Sequence, residues 1–398
     1  MVKNKRKISV LGATGSIGSS VRAIILQKPD EFDVEALVSG SNVDALAALA
    51  IELNAKFAVI ADGSLYTALK SKLEGTGIKT SAGLDAVNEA AVRPVDMVVC
   101  AITGIAGLEP TYKAVCAGQT IALANKEALV CAGTMLINAA KKAGASILPL
   151  DSEHNALFQA LNGRSTHDIE TMVLTASGGP FMDWDISKIQ NATIEQALAH
   201  PNWSMGQKIT IDSASFMNKG LELIEAHYLF NVPPAKLNVL VHPQSIIHGL
   251  IFYTDGSVVA GMALPDMRVP TAYCLGFPAR LNVDLPRLNL AAIGSMSFFE
   301  PDHARFPCLG LAQNSLKAGG AMPIVLNGAN EVAVEAFLQG NISFGGIAAL
   351  VENTINSYQQ SCSRNLAPLT LEDVHSINLV SKQLAQTGLS KASSRAIH

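Results

Sequence analysis

The first 150 residues alternate between short β-branched runs and Ala/Leu-rich stretches, and this alternation constrains the fold more than any other feature of the chain. The β-branched runs lie at residues 8–11, 34–38, 57–60, 97–101, 120–123 and 147–150. Strands that alternate with helical segments are typical of parallel sheets built from βαβ units. The pattern therefore predicts an α/β fold that begins with a doubly wound, Rossmann-like parallel sheet.

The remainder of the chain has a different pattern. At 398 residues the chain is too long for one ordinary hydrophobic core, so several domains are expected. Beyond the first domain (1–150), residues 151–285 mix helical segments with short strands, which predicts a central α+β domain. Residues 286–308 are punctuated by prolines and indicate a linker. Residues 309–398 have helical periodicity, which predicts a C-terminal helical bundle.

Composition excludes several function classes. The net charge is −4, so nothing favours a nucleic-acid partner electrostatically. The six cysteines are scattered without a C-x-x-C pair, which favours a reducing compartment and mostly buried thiols; they are Cys100, Cys116, Cys131, Cys274, Cys308 and Cys362. Neither a signal peptide nor a long uninterrupted apolar segment is evident, so a cytoplasmic protein without a membrane partner is expected.

A glycine-rich turn follows the first predicted strand. Gly12, Gly15 and Gly18 open a helix there, and small residues at that place let the backbone approach a pyrophosphate. The spacing is G-x-x-G-x-x-G, so a glycine turn without a ligand stays an alternative. After the second strand, residues 39–42 lack the acid that NAD-binding folds place on the ribose 2′-hydroxyl. NADP is therefore favoured over NAD, although Asp44 lies nearby.

Two carboxylates one residue apart, Asp151 and Glu153, follow the last predicted strand of the first domain. Ligands of open α/β sheets bind at this carboxyl edge, and carboxylate oxygens suit Mg²⁺ or Mn²⁺. If the backbone stays extended, the two side chains point to the same side. Lys126 follows another predicted strand, again at the carboxyl edge of the sheet, and can reach an anionic or hydroxylated substrate there. A pair with Glu127 at a helix start is the alternative.

A second polar cluster lies about sixty residues further on. A helix predicted after Asp212 places Asn218, Lys219 and Glu222 on one face. Glu222 is the expected third carboxylate ligand. Glu225 lies one turn further along the same face, so spacing alone does not choose between the two, and solvent-exposed acids are the alternative.

Two further segments have the character of binding loops. Ser177-Gly178-Gly179-Pro180 resembles an anion-cradling turn, with a plain turn as the alternative. Residues 200–206 join His200 and Trp203 without regular periodicity, as an active-site lid does; an ordinary loop histidine is the alternative. Four other residues are interpreted as structural polar groups: His242, His248, Asp266 and Arg268.

Taken together, the motifs closely resemble those of the 1-deoxy-D-xylulose 5-phosphate reductoisomerases. The resemblance is carried by residues 12–18, 123–127, 150–155, 177–181, 200–206, 208–213, 218–222 and 242–248. Their order and spacing cover nearly the whole chain. The resemblance implies a V-shaped homodimer with NADPH-binding, catalytic and C-terminal helical domains. It also implies metal-dependent rearrangement of 1-deoxy-D-xylulose 5-phosphate and reduction to 2-C-methyl-D-erythritol 4-phosphate, in isoprenoid precursor synthesis.

The resemblance also assigns roles to individual positions. Ligands of Mg²⁺, Mn²⁺ or Co²⁺ are matched by Asp151, Glu153 and Glu222. Substrate contacts are matched by Lys126, Ser152, Glu153, Ser177, His200, Ser213, Asn218, Lys219 and Glu222, of which Ser177, Ser213, Asn218 and Lys219 grip the phosphate. The catalytic positions among all of these are Lys126, Asp151, Glu153, His200 and Glu222, and a flexible flap is matched by Trp203 and Met205. NADPH contacts are matched by Thr14, Gly15, Ser16, Ile17, Gly40, Ser41, Asn42, Asn125, Glu127 and Gly206.

One departure from the family bears on the cofactor. Some relatives carry Lys where this chain has Ser41, near the expected 2′-phosphate, which bears on the strength of the preference for NADP. Two other functions fit the same residues. One is an NADP-dependent, metal-assisted hydroxy-acid dehydrogenase that performs no rearrangement, and the other is a non-catalytic NADP-binding regulator.

Overall fold

A computed structural model describes residues 5–203, 205–361 and 365–395, so Cys362 lies outside the described part of the chain. Its first sheet is parallel throughout, with the strand order β4-β3-β2-β1-β5-β6-β7. The strands are β1 Arg6–Leu11, β2 Phe32–Ser39, β3 Phe57–Ile60, β4 Lys79–Ala82, β5 Met97–Cys100, β6 Thr120–Leu123 and β7 Ser146–Pro149. The predicted doubly wound sheet is confirmed.

Six of these strands match the β-branched runs, and β4 is the exception. Its residues, Lys-Thr-Ser-Ala, are partly exposed because β4 forms one edge of the sheet. The interior strands β3 and β5 are buried along their whole length, as strands covered on both faces are. The direction of winding reverses between β1 and β5, and ligands of such sheets bind at this switch point.

The helices that accompany the first sheet begin and end at recognisable residues. They are α1 Ser16–Gln27, α2 Val43–Glu52, α3 Tyr66–Lys72, α4 Leu84–Val92, α5 Leu108–Cys116, α6 Lys126–Ala143 and α7 Ser152–Leu161. Asn42 and Asn125 cap α2 and α6 because their side-chain oxygens accept backbone N–H groups that the first helical turn leaves unpaired. Gly144, at φ +70°, ends α6 in the left-handed conformation.

The second sheet is mixed and has the strand order β11-β10-β8-β9. Its strands are β8 Ile169–Ala176, β9 Leu237–Val241, β10 Ile247–Tyr253 and β11 Val258–Met262. Strands β8 and β9 are parallel, whereas β10 is antiparallel to both β8 and β11. The helices between β8 and β9 are α8 Ile186–Gln190, α9 Ile194–Leu198, α10 Gln207–Ala214 and α11 Met217–Phe230. This α+β arrangement confirms the predicted class.

The rest of the chain is helical; residues 309–398 were predicted to be so, whereas the short helix at residues 290–293 lies in the segment predicted as a linker. Its helices are α12 Arg268–Gly276, α13 Leu290–Ile293, α14 Pro307–Ala318, α15 Met322–Leu338, α16 Phe344–Ser361 and α17 Leu371–Arg395. Helix α15 is buried over most of its surface because α16 and α17 both pack against it. Helices α11 and α14 approach so closely at Gly220 that an added Cβ would lie 2.3 Å from that of Ala312.

The contacts divide the chain into two compact units. The first unit comprises Met1–Ala128, Leu136–Asn155 and Asp266–Leu288; the second comprises Leu129–Met135, Ala156–Pro265 and Asn289–His398. In the first unit, the guanidinium of Arg6 donates to Leu275 O and Phe277 O, both at 2.6 Å, so the segment containing α12 is fastened to β1. The domain boundaries at residues 150, 285 and 308 stay a prediction.

Two further observations bear on the composition. Cys100, Cys131, Cys274 and Cys308 are buried and Cys116 is exposed, and none of these five thiols forms a disulfide within the described part of the chain. Among the described helices, none combines the length and apolar character that crossing a membrane requires.

Candidate active site

The glycine turn between β1 and α1 has the geometry of a dinucleotide cradle. Gly12 has φ +91°, and a Cβ there would lie 2.4 Å from Ala101 O. A Cβ on Gly18 would lie 2.0 Å from Ala13 O, so Gly18 lets α1 pack directly on the turn. Gly15 is exposed and precedes α1 without a side-chain cap. The turn therefore fits a pyrophosphate at the helix N-terminus.

The loop after β2 lies in the same unit and is open to solvent. Gly40, Ser41 and Asn42 are exposed, and a Cβ on Gly40 would meet nothing within 4 Å. Asp44 is the acid that left the cofactor preference open, and it pairs with Lys72 at 2.7 Å. This pair lies at the surface, so the Asp44 carboxylate stays accessible beside the loop.

Asn125 holds the start of α6 to the loop after β5. Its Oδ1 accepts the N–H of Ala128 at 2.9 Å, while its Nδ2 donates to Ile102 O at 2.6 Å and to Gly104 O at 2.9 Å. The side chain is 2% exposed. Asn125 thus fixes the backbone beside the switch point, and Glu127 accepts a further bond from the same amide at 3.2 Å.

Lys126 follows β6 and lies in the first turn of α6, where the helix dipole disfavours a cation. The side chain is buried at 6% exposure, and Nζ donates to Asp151 Oδ2 at 2.6 Å. Asp151 follows the neighbouring strand β7. The carboxylate offsets both the dipole and the desolvation of the ammonium group. The prediction that these side chains share one edge of the sheet is confirmed.

The extended backbone expected through Asp151 and Glu153 is wrong, because helix α7 begins at Ser152. Asp151 O accepts the N–H of Asn155 at 2.8 Å, and Asp151 Oδ1 accepts the N–H of Ser152 at 3.0 Å. The hydroxyl of Ser152 donates to Glu153 Oε2 at 2.5 Å. The helical turn still leaves two carboxylates and a hydroxyl at the end of β7. Such a set of hard oxygen donors fits a divalent cation.

In the second unit, the turn after β8 lies against the end of α10. Gly178 and Gly179 have φ +89° and +64°, so the turn depends on glycine. A Cβ on Gly179 would lie 3.4 Å from Ser213 O. The structure thus brings Ser177 and Ser213, which lie far apart in sequence, into one small region.

The hydrogen bonds of His200 define its tautomer. Its Nδ1 accepts the backbone N–H groups of Asn202 at 3.2 Å and of Trp203 at 3.0 Å. The proton of the neutral ring therefore resides on Nε2, which donates to Ser177 Oγ at 3.1 Å. Ser177 Oγ also accepts the N–H of Gly179 at 3.2 Å. Since both contacts use Ser177 as acceptor, its hydroxyl proton is available to a bound anion.

Burial lowers the pKa of His200 from its ordinary value to about 4. A lowered pKa means that the ring gains a second proton only in more acidic solution, so His200 is expected to stay neutral from pH 8 to pH 5. Nitrogen-15 NMR of histidine-labelled protein checks this, because imidazole nitrogen shifts distinguish the Nε2–H tautomer from the charged ring. A His200 signal that changes to the charged form near pH 6.5 would contradict the assignment.

Helix α11 confirms the predicted face of Asn218, Lys219 and Glu222. Asn218 Nδ2 donates to Glu222 Oε1 at 2.5 Å, and Lys219 Nζ donates to Glu222 Oε2 at 2.5 Å. Lys219 is 4% and Glu222 1% exposed. A buried carboxylate is costly unless it is paired, so these two donors stabilise Glu222 on its own helix.

Asp212 has an anchoring role that spacing did not reveal. It is 2% exposed, and its carboxylate accepts Asn330 Nδ2 of α15 at 2.7 Å and Lys208 Nζ at 2.9 Å. These contacts fasten α10, and with it Ser213, to the C-terminal helices. No sequence pattern indicated a role for Asn330, since it lies in a largely apolar helix and its partner is distant along the chain.

Residues 199–206 form neither helix nor strand where the structure describes them, as expected of a flap. The ring of Trp203 meets that of His248 edge-on at 6.2 Å between centroids. His248 Nε2 lies 3.2 Å from Ala263 O. Asp266 and Arg268 pair with each other at 2.6 Å, in keeping with a structural role.

Comparisons with known proteins agree with this geometry. A family model described as 1-deoxy-D-xylulose 5-phosphate reductoisomerase matches residues 8–133, and models of the C-terminal domains of the same enzyme match residues 147–230 and 262–384. A 1-deoxy-D-xylulose 5-phosphate reductoisomerase from Bradyrhizobium sp. (strain ORS 278) is 54% identical over 92% of this chain and 90% of its own length.

The chain belongs to the 1-deoxy-D-xylulose 5-phosphate reductoisomerase family.

Two solved structures of the family have the same fold. The enzyme from Zymomonas mobilis in complex with NADPH is 44% identical, with a TM-score of 0.91 over 97% of this chain and 99% of its own. A second structure, in complex with NADPH, fosmidomycin and magnesium, is 40% identical, with a TM-score of 0.92 over 98% of this chain and 99% of its own. Membership of the family favours a reductoisomerase over the hydroxy-acid dehydrogenase and the regulator.

Proposed function

We propose that the chain catalyses the NADPH- and divalent-metal-dependent conversion of 1-deoxy-D-xylulose 5-phosphate to 2-C-methyl-D-erythritol 4-phosphate, a step in isoprenoid precursor synthesis. One observation carries the proposal: the dinucleotide turn after β1 and the carboxylates after β7 lie at the same edge of one sheet. A hydride donor and a cation site therefore belong to one scaffold. The relatives, which carry the name of this activity over nearly their whole length, support it.

For the cofactor, the proposed contacts fall into three groups. Thr14, Gly15, Ser16 and Ile17 would hold the pyrophosphate, because they form the end of the glycine turn and the first two residues of α1. Gly40, Ser41 and Asn42 would hold the ribose 2′-phosphate. Further contacts are assigned to Asn125, Glu127 and Gly206. When bound, NADPH supplies the hydride for the reduction.

Ser41 tests the cofactor assignment. Changing Ser41→Lys should raise the preference for NADPH over NADH about ten-fold or more, because an ammonium group near a phosphate adds a charge-assisted hydrogen bond of about 1.5 kcal/mol or more. The ratio of kcat/KM for the two cofactors measures the effect, and Ser41→Gln controls for side-chain length. An unchanged ratio in Ser41→Lys would place the 2′-phosphate elsewhere.

For the metal, we propose that Asp151, Glu153 and Glu222 hold one divalent cation. The donor set consists of carboxylate oxygens, which suit Mg²⁺, Mn²⁺ and Co²⁺. The magnesium in a family structure supports Mg²⁺, whereas Mn²⁺ and Co²⁺ rest on the resemblance alone. When bound, such a cation supplies Lewis-acid polarisation of the substrate carbonyl. Lys126 and Ser152 contact the cation's carboxylates and are proposed to bind the substrate hydroxyl groups.

For the substrate phosphate, we propose a pocket formed by Ser177, Ser213, Asn218 and Lys219. The hydroxyl proton of Ser177 is available there, and Lys219 supplies a buried positive charge. Holding a non-reacting phosphate orients a small, flexible sugar, and this binding energy lowers the barrier at the reacting carbons. His200, neutral and fixed by the backbone, contacts the substrate, while Trp203 and Met205 close over it and exclude water.

We also propose that the protein is a homodimer in the cytoplasm. Strand β11 forms one edge of its sheet, and Val258 and Met262 on it are exposed; an apolar edge strand is a template for pairing with another chain. The free cysteines support a reducing compartment. Analytical ultracentrifugation should give twice the chain mass, and a monomer at micromolar concentration would contradict the dimer.

The deciding experiment follows NADPH absorbance with purified protein, 1-deoxy-D-xylulose 5-phosphate and Mn²⁺, with and without EDTA, and identifies the product by NMR. The expected result is metal-dependent oxidation that yields the branched methylerythritol phosphate. An unbranched product would favour a simple dehydrogenase. No oxidation under conditions where NADPH binds would favour the regulator or a different substrate.

A further inference from the structure

The loop that follows β9, residues 242–245, is held firmly from one side. His242 is fully buried, and its Nδ1–H donates to Ser297 O at 2.9 Å. Its ring stacks on Phe298, with 4.7 Å between centroids and 13° between planes. Gln244 Oε1 accepts the N–H of Ser297 at 3.2 Å. Contacts of this number leave the loop little freedom to move.

Ser245 ends the loop in a conformation that a non-glycine residue rarely adopts. Its φ is +52°, and its N–H donates to His242 O at 3.0 Å. Such backbone strain persists only where the surroundings determine the conformation, and it concentrates at functional sites. The strained backbone directs the hydroxyl of Ser245, a residue that is 5% exposed, toward residues 200–203.

The side chain of Asn202 forms two hydrogen bonds with this loop. Its Nδ2 donates to Pro243 O at 2.8 Å and to Ser245 Oγ at 3.1 Å. Its backbone N–H donates to His200 Nδ1. One residue thus joins the fixed loop, through its side chain, to the acceptor nitrogen of His200, through its backbone.

We propose that Asn202 and Ser245 are positioning residues for the reaction, and that residues 242–245 form the fixed seat of the flap. The amide of Asn202, held at two points, sets the backbone N–H groups that fix His200 Nδ1. His200 then presents Nε2–H to Ser177. Asn202 and Ser245 act through His200 and touch no reacting group themselves.

The kinetic part of this inference rests on the proposed function, whereas the geometric part is measurable in the protein alone. The chain has two tryptophans, so a Trp184→Phe background leaves Trp203, in the flap, as the single fluorophore. Acrylamide quenching of Trp203 reports how well the flap is seated. Nitrogen-15 shifts of His200 report whether Nδ1 still accepts the two backbone hydrogen bonds.

Three variants on this background carry the test. Asn202→Asp keeps the shape but removes the donor and places a carboxylate against Pro243 O, Asn202→Ala removes the side chain, and Ser245→Ala removes one of two acceptors. Each lost neutral hydrogen bond should cost about five-fold. Quenching of Trp203 should therefore rise most in Asn202→Asp and least in Ser245→Ala, and the His200 signals should shift in the same order.

The matched control is Asn191→Ala. Asn191 is also exposed and donates one bond, to Ser187 O at 2.9 Å, in the turn before α9. It should leave Trp203 quenching, the His200 signals and the kinetics unchanged. Thermal unfolding of every variant separates a loss of seating from a loss of fold.

Kinetics complete the test. The Asn202 variants should raise KM for the sugar phosphate and lower kcat by about five- to ten-fold together, with KM for NADPH unchanged. The Asn202→Ala/Ser245→Ala double variant should be no worse than Asn202→Ala, because both remove the same bridge. Unchanged quenching and unchanged His200 shifts in folded Asn202→Asp would overturn the proposal. If these spectroscopic changes occur but no activity on 1-deoxy-D-xylulose 5-phosphate exists even in the parent protein, the seat stands and the proposed function fails.

Discussion

Changing Glu222→Gln is expected to lower metal-dependent turnover by at least about 100-fold, since altering even an outer partner of a metal ligand costs up to that much. The amide keeps the size of the side chain but removes its charge. It also turns an N–H₂ group toward either Asn218 Nδ2 or Lys219 Nζ, both of which are donors. NADPH binding should be unchanged, because Glu222 is not among the residues assigned to NADPH and the glycine turn belongs to the first unit.

The measurement is kcat over a range of Mn²⁺ concentrations, together with NADPH affinity from fluorescence titration. Glu225→Gln is the comparison variant, since Glu225 is as deeply buried and lies one turn further along α11. An active Glu222→Gln beside an inactive Glu225→Gln would transfer the ligand role to Glu225. Loss of NADPH binding in Glu222→Gln would indicate a folding defect, which thermal unfolding would reveal.

Changing Lys219→Ala is expected to raise KM for 1-deoxy-D-xylulose 5-phosphate by about 10- to 100-fold, the range for a lost hydrogen bond to a charged group. Two effects act in the same direction. The phosphate loses its cation, and the buried carboxylate of Glu222 loses its closest counter-charge and then repels the phosphate. KM for NADPH should stay the same.

Lys236→Ala is the matched control for a lysine in the same unit. Lys236 Nζ donates to Ile169 O at the amino end of β8, whereas Ser177 follows the carboxyl end of that strand. The control should leave both KM values unchanged. An unchanged KM for the sugar phosphate in Lys219→Ala would show that the phosphate assignment is wrong.

The sequence predicted the first sheet well because each interior strand contains a short apolar run that includes β-branched residues. Such a run can be recognised from neighbouring residues alone, and the direction of the chain then identifies the edge of the sheet where the strands end. Strand β4 escaped prediction because its polar side chains lie at the edge of the sheet, where burial imposes no pattern. Its strand character comes from pairing with β3 alone.

The sequence predicted which residues belong to the candidate site, but it did not predict the contacts between them. Asn218, Lys219 and Glu222 share a face because a helix imposes that spacing, and the sequence sufficed for this. The conformation of Asp151 and Glu153 depends on where α7 begins, and the spacing of these two residues in the sequence does not reveal that helix start. The contacts of Asp212 with Asn330 and of Asn202 with Ser245 join distant segments, so only the folded chain shows them.

The hydrogen bonds that Asn218 and Lys219 donate to Glu222 have a consequence for ligand binding. Asn218 and Lys219, the donors proposed for the phosphate, occupy the two oxygens proposed for the cation. A phosphate that draws these donors away removes their hydrogen bonds and the Lys219 charge from Glu222, and a cation that binds Glu222 competes with the donors for the same two oxygens. Each ligand therefore removes an obstacle to the other, and linkage requires that the two affinities rise by the same factor. The phosphate and the cation are therefore expected to bind as a cooperative pair.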